Sequence, residues 1–470
     1  MSADWEIVMG LEVHAELKTR TKLFCGCPNM FGDEPNTNVC PVCLGLPGSL
    51  PVLNRHAVEL AMRIGMALGC DVRPSIFHRK NYFYPDMPKD YQVSQYDEPI
   101  NVGGSLQVGA LVVGIERAHM EEDTGKTTHV GGTGRIHGAD HALVDYNRAG
   151  VPLVEIVSAP DIRSPEQAKA YVEELRAVLV ATGASDGRME EGSLRVDANV
   201  SVRRAGDEFG TRCEIKNLNS LRSLVRATAF EAKRQIALLE AGGTVTQQTR
   251  HWDEAKGETT TARSKEEAED YRYFPEPDLV PVVPDDNWLS GVRGAMPPLP
   301  AERRAELRAA VPNATDDAIA TVVRLGFDQV VREAMAAGAD GRLAINRAVN
   351  EVAADPDGGA RLTPAAFARV VLMESSGELT PTQAKAVIAE LLEAGGDPDT
   401  VVRERGYEAV GADKLEAVVA EILAAHPEEA SRLGEDPKLI GFFVGKVMDA
   451  TNRQANGKEV TALLRRHAAE

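Results

Sequence analysis

Residues 10–16 read Gly-Leu-Glu-Val-His-Ala-Glu, a strict alternation of apolar and polar side chains. Period two belongs to a strand, so Glu12, His14 and Glu16 are predicted to share one face. Shorter β-branched runs at 142–147, 151–157 and 193–203, punctuated by Gly, Asn and Asp, predict further strands. Helical periodicity is sparse before residue 295. It is clearest over 165–182, where Ser164 and Gln167 form a capping box, Pro165 takes the first helical position and Gly183 stops the run. A second helix is predicted from 221 to 241, closed by Gly242-Gly243.

After Pro297-Pro298-Leu299-Pro300 the texture changes to alanine-rich helical periodicity. Thr363-Pro364 and Thr380-Pro381 are helix starts, Gly395-Gly396 is a stop, and a break near Gly406 precedes helical runs at 414–421 and 438–451. The pattern predicts an α+β chain: a β-rich domain over 1–295, a helical domain over 296–405 and a small helical tail over 406–470. A length of 470 residues accommodates several domains.

Composition adds limits. With 43% apolar and 26% charged residues the chain reads as an ordinary globular protein. Neither a long apolar run nor a signal-like start occurs, so a cytoplasmic location without membrane association is expected. The net charge of −19 is spread over both halves, which argues against sequence-independent adhesion to nucleic acid. RNA contact would have to come from local basic patches.

Four of the six cysteines, Cys25, Cys27, Cys40 and Cys43, form a C-x-C and a C-x₂-C pair separated by twelve residues. Two pairs and a loop let four thiolates converge on Zn²⁺, and four sulfurs leave no open position for chemistry, so such a site is structural. Four uncoordinated thiols are the alternative. Cys70 and Cys213 read as small core side chains.

Three acidic groups stand out: Glu12 with His14 and Glu16, the run His119-Met-Glu121-Glu122-Asp123, and Glu155 inside an otherwise apolar strand. A glutamate there must be paired, protonated or metal-bound if buried. Carboxylates with an imidazole suit a hard cation such as Mg²⁺, whereas 121–123 alone also fits a solvated turn. Thr124-Gly-Lys126-Thr-Thr resembles the end of a Walker A loop, but position 120 is Met, so the P-loop pattern fails. Lys126 remains a candidate phosphate contact as a point charge. The stretch Arg79 to Tyr96 interleaves five aromatic residues with Arg79, Lys80 and Lys89, and Asp270 to Asp278 is a shorter version. Such mixtures stack on bases and hold phosphates, or serve as hydrogen-bonded core. No G-x-S-x-G elbow or other hydrolytic nucleophile motif is present.

Together, Gly10–Leu17, Pro35–Gly48, Arg79–Asp86, His119–Asp123 and Asp270–Asp278 resemble the GatB family, the B-type subunits of the aspartyl/glutamyl-tRNA amidotransferases, as does Gly441–Met448 in the helical part. The resemblance implies a β-rich cradle carrying the kinase and transamidase chemistry, a helical domain and a tail that touches tRNA. It implies that an A-type subunit hydrolyses glutamine, that ammonia reaches the B-type subunit through an internal channel, and that a C-type subunit tethers the two in a heterotrimer. It implies two steps: ATP phosphorylates the side-chain carboxylate of Glu-tRNA(Gln) or Asp-tRNA(Asn), and ammonia then displaces phosphate. An acyl phosphate is a better electrophile with a better leaving group than a carboxylate, and no enzyme nucleophile is needed. The implied Mg²⁺ set falls on Glu12, His14, Glu122 and Glu155, with Asp197 as a further member, and the implied zinc cysteines fall on Cys25, Cys27, Cys40 and Cys43. Lys80 and Lys89 match cationic positions near the reaction chamber and channel. The segment 451–457 departs from the family's more glycine-rich tail. Two rival readings are the archaeal E-type paralogue, whose additional inserted domain has little room in this length, and a zinc-stabilised RNA-binding module without catalysis.

Overall fold

The structure is a computed structural model that describes all residues except 1–3, 132–137, 265–270, 356–358, 360, 408–411, 435–436, 452–454, 456 and 470. Asp270, which opens the second aromatic stretch, and most of the atypical tail segment therefore lie outside the described residues. The chain divides into two compact units, Met1–Leu299 and Pro300–Glu470. It is α+β, as the pattern predicts.

The first unit holds strands β1 (Trp5–Glu16), β2 (Asp71–Val72), β3 (His78–Asn81), β4 (Tyr91–Ser94), β5 (Asn101–Val102), β6 (Ser105–Val108), β7 (Leu111–Glu122), β8 (Lys126–Val130), β9 (His141–Asp145), β10 (Pro152–Ser158), β11 (Leu194–Arg204), β12 (Cys213–Leu218), β13 (Gln248–Asp253), β14 (Glu258–Ser264) and β15 (Phe274–Pro275). Its helices are α1 (Arg55–Ala67), α2 (Pro165–Ala181), α3 (Leu221–Glu240) and α4 (Asp286–Gly294). Thirteen strands form one sheet whose main path runs β14, β13, β12, β11, β1, β10, β7, β4, β3, β15, while β8 and β9 pair separately. Only β12 and β13 run parallel among the described pairs.

β1 lies in the middle. Its Leu11, Val13 and Ala15 are buried in one apolar cluster with Tyr171 and Leu175 of α2 and Leu224 of α3. Burial of a Leu or Val side chain stabilises by roughly 1.5–3 kcal/mol, so this layer fixes which side of β1 meets the helices. Glu12, His14 and Glu16 are thereby turned to the other side, as their spacing predicts.

Ser164 caps α2 by accepting from the Gln167 N–H at 3.1 Å. The returning bond goes one residue further than a capping box requires, from the Arg163 N–H to Gln167 Oε1 at 2.8 Å. The pattern misses α1, although its signals are present: Asn54 accepts from the N–H groups of His56 and Ala57, and Ala57, Val58, Leu60, Ala61 and Ile64 line its buried side. In the second unit, helices Pro364–Ser375 and Pro381–Ala394 begin at Thr363 and Thr380, the latter with Gln383 completing a capping box. Gly395, at φ 69°, ends the second of them. One apolar cluster runs from Leu307 to Val401 and a separate one from Leu415 to Leu464.

Candidate active site

Register decides which side chains meet. His14 stands opposite Glu155 of β10, and Glu155 opposite His119 of β7. Cross-strand partners point to the same face, so two imidazoles and a carboxylate converge, and Glu121, two residues from His119, joins them. His14 Nε2 lies 3.5 Å from Glu121 and 3.7 Å from Glu155, and His119 Nε2 lies 3.3 Å from Glu155. On the other side of β1, Glu12 stands opposite Asp197 of β11, with Glu214 of β12 alongside. Donor atoms of His14, Glu121 and Glu155 all lie within 4.8 Å of one another, as do those of Glu12, Asp197 and Glu214.

The electrostatics reflect this crowding. Burial and the neighbouring charges of Glu155, Glu214 and Asp197 push Glu12 above the usual carboxylate range, against one hydrogen bond from Asn199. Burial likewise raises Glu121. Glu155 is held well below the range, because His119, His14 and Arg117 together outweigh its burial. Burial opposes the charged form of His14, yet Glu155 and Glu121 raise it. Glu16 is pushed up to about 7 by burial and by the charge of Asp123, which Arg195 and Arg148 hold at 2.9 and 3.2 Å. Asp197 accepts from the Asn217 N–H at 2.8 Å and lies 3.6 Å from Lys216. Asn217 sits at φ 59°, a left-handed conformation Asn tolerates better than most residues.

Glu122 does not join this group. Neighbours along a strand point to opposite faces, and Glu122 turns away from Glu121 to pair with Lys89 and to accept from the Val93 N–H at 2.9 Å. Of the expected set Glu12, His14, Glu122 and Glu155, it is Glu121 rather than Glu122 that lies beside His14 and Glu155. All of Glu121, Glu122 and Asp123 are buried, so the solvated-turn alternative falls. The two lysines separate in the same way. Lys80 shares its face with Glu121, through Gln92 and the Ser94–Glu121 pair, and its ammonium lies 4.8 Å from the Tyr271 ring centre. Lys89 faces a cleft lined by Cys43, Tyr91, Glu122, Gly150, Glu276 and Asp278, among others. Lys126 is exposed on β8, outside the main sheet.

The two aromatic stretches come together. Tyr82 and Tyr271 meet edge to face at 6.4 Å, and Tyr96 stacks on Tyr273 at 5.3 Å while its edge approaches His119. Arg79 donates to both Glu276 oxygens, at 2.7 and 2.8 Å, fastening one stretch to the other. An aromatic wall thus stands beside the carboxylates.

The sulfurs of Cys25, Cys27, Cys40 and Cys43 lie within 4.8 Å of one another, with Cys40 and Cys43 3.9 Å apart. A tetrahedral site with metal–sulfur bonds of about 2.3 Å has edges of about 3.8 Å, so the thiols fit Zn²⁺. A hydrogen bond from Cys25 draws the Cys43 thiol down to about 5, with help from the Cys40 N–H and the charge of Lys22. Cys213 is buried, and Cys70 packs partly buried against the core.

Comparison with known proteins decides the family. A family model described as the GatB/GatE catalytic domain matches residues 7–290, and one described as the GatB domain matches 329–467. The aspartyl/glutamyl-tRNA(Asn/Gln) amidotransferase B subunit of Rhodococcus jostii is 51% identical, the alignment covering 98% of this chain and 96% of that one. The chain belongs to this GatB family. The corresponding B subunits of Frankia casuarinae and Streptomyces avermitilis, 51% and 50% identical, align with 98% of the chain and 95% of their own lengths. Membership makes the chain a component of a tRNA-dependent amidotransferase, a ligase of protein biosynthesis. It sets aside the reading as a non-catalytic RNA-binding module, and the full-length matches to B subunits speak against the E-type paralogue. No helix among the described residues is long and apolar enough to cross a membrane.

Sequence reasoning passes over Glu121 as the inward member of its run, His119 as the partner of Glu155, and Glu214. The signal for Glu214 lies in Cys213-Glu-Ile-Lys-Asn-Leu218, whose alternation places Glu214 and Lys216 on the face opposite Cys213 and Ile215.

Proposed function

We propose that the carboxylate face of the sheet activates the side-chain carboxylate of Glu-tRNA(Gln), Asp-tRNA(Asn) or both with ATP, and that ammonia then completes the amide. The observation that carries this reading is the pairing of His14, Glu121 and Glu155 beside Glu12, Asp197 and Glu214 on one face of one sheet. Oxygen donors with an imidazole suit Mg²⁺, which when bound neutralises charge on transferring phosphoryl oxygens. His119, hydrogen-bonded to Glu155, orients that carboxylate. In the first step the substrate carboxylate oxygen bonds to the γ-phosphorus and ADP leaves. In the second, nitrogen bonds to the acyl carbon, phosphate leaves, and a proton is lost from nitrogen.

The aromatic wall of Tyr82, Tyr96, Tyr271 and Tyr273 offers flat surfaces for a base, and Lys80 a charge for phosphate. The cleft at Lys89, Glu122, Glu276 and Asp278 is lined by charges of both signs and suits the passage of ammonia released from glutamine by an A-type partner, with a C-type partner as the tether. The four thiols hold structural Zn²⁺ that braces this corner. Activity in the cytoplasm fits a translation enzyme.

The test separates the two faces. With the partner proteins, ATP and misacylated tRNA, Glu121→Gln and Glu155→Gln are expected to lose tRNA-dependent ADP formation by a hundredfold or so. Glu122→Gln should keep ADP formation and lose glutamine-driven amidation. Full ADP formation by Glu155→Gln would remove the reading.

A further inference from the structure

Lys22 is fully buried, at 0% exposure, yet has no part in the chemistry above. Its ammonium donates to the Tyr146 carbonyl at 3.2 Å and pairs with no carboxylate among the described residues. An unpaired buried charge is costly and implies a compensating charge nearby. The surroundings are those of the cysteine knuckle. The Lys22 N–H donates to the Cys27 carbonyl at 3.0 Å, tying it to the first cysteine pair. A methyl group placed on Gly150 would touch Cys43 Cβ and Lys22 Cδ at 3.7 Å and Glu122 Oε2 at 3.9 Å, so the lysine stem, the second cysteine pair and the carboxylate bound by Lys89 all border Gly150.

Four thiolates around a divalent ion carry a net charge of −2. That charge is partly withdrawn from water here, since Cys43 is buried and the other three are half-buried. The knuckle therefore needs a cation, and Lys22 supplies one that no carboxylate pairs with, since the nearby Glu122 is held by Lys89. We propose that Lys22 is the buried counter-cation of the tetrathiolate metal site, a positioning residue whose fixed charge sets how tightly the knuckle holds zinc. This inference rests on the zinc reading.

The test measures zinc affinity of the reduced full-length chain by competition with a chromogenic chelator. Lys22→Met removes charge and hydrogen bond at similar volume. Lys22→Gln keeps a donor for Tyr146 and removes the charge alone, and it serves if the methionine variant fails to fold. Exposed Lys18, changed to Gln, is the control. Both Lys22 variants are expected to bind zinc about ten- to a hundredfold more weakly, while urea unfolding of the metal-free proteins shows them at least as stable as the parent. Unchanged affinity in a folded Lys22→Gln protein would overturn the proposal and leave Lys22 as a brace for the loop at Tyr146. A parent chain that holds no zinc would instead remove the zinc reading itself.

Discussion

Glu16 is the residue where pH should be felt first. A carboxyl raised from 4.5 to about 7 on folding binds more protons folded than unfolded, so its contribution to stability falls as pH rises through that window. Without divalent cations, urea unfolding should show stability dropping by roughly 1–2 kcal/mol between about pH 4.5 and 7 from this group. Glu16→Gln should flatten that slope. A slope unchanged in the variant would place its cause at Glu12 or Glu121 instead, since both are raised in the same direction. Much of this chemistry is legible residue by residue, because one strand's alternation suffices to put Glu12, His14 and Glu16 together. The inward member of Glu121-Glu122-Asp123 is not legible, since three consecutive acids carry no phase of their own. Only pairing with β10 and β4 supplies it.

Between α1 and β5 the contact is tight. A methyl on Gly65 would come within 1.9 Å of Asn101 Oδ1. Asn101 is fully buried, and its amide donates to the carbonyls of Ala61 and Ala118 at 3.0 Å each, joining helix to sheet. Gly65→Ala gains about 1 kcal/mol of helix propensity but displaces this bridge. A net loss of about 2–3 kcal/mol is expected, read as a lower urea midpoint. A more stable variant would show that Asn101 can move aside. Here the sequence is quieter. Asn54 and the 3–4 spacing of small apolar residues announce α1, but Ala, Gly and Met carry weaker contrast than the Val and Ile runs around them. The helices after residue 300 are easier to read, because Thr-Pro starts and Gly stops act locally.

At the scale of the molecule, each of the two units has apolar cores of its own. Calorimetry should resolve more than one transition, and only the one belonging to the first unit should move when a chelator strips the knuckle. A shift of every transition by the same amount would show that the units unfold as one. With a net charge of −19, tRNA contact is confined to local basic patches, so tRNA affinity should weaken only moderately with salt. Changing Lys80 to Met should lower that salt slope by about one contact.

The opposed pair on β7 carries one more consequence. Glu121 and Glu122 are chemically identical neighbours whose separate surroundings come from pairing with β10 on one side and β4 on the other. The sheet acts as a partition wall with one carboxylate in each room. Inserting a single residue just before them would exchange the rooms while adding only one side chain to the inventory. Such a protein would keep all its existing side chains and most of its core, yet present the lysine-bound acid to phosphate and the histidine-bound acid to the cleft.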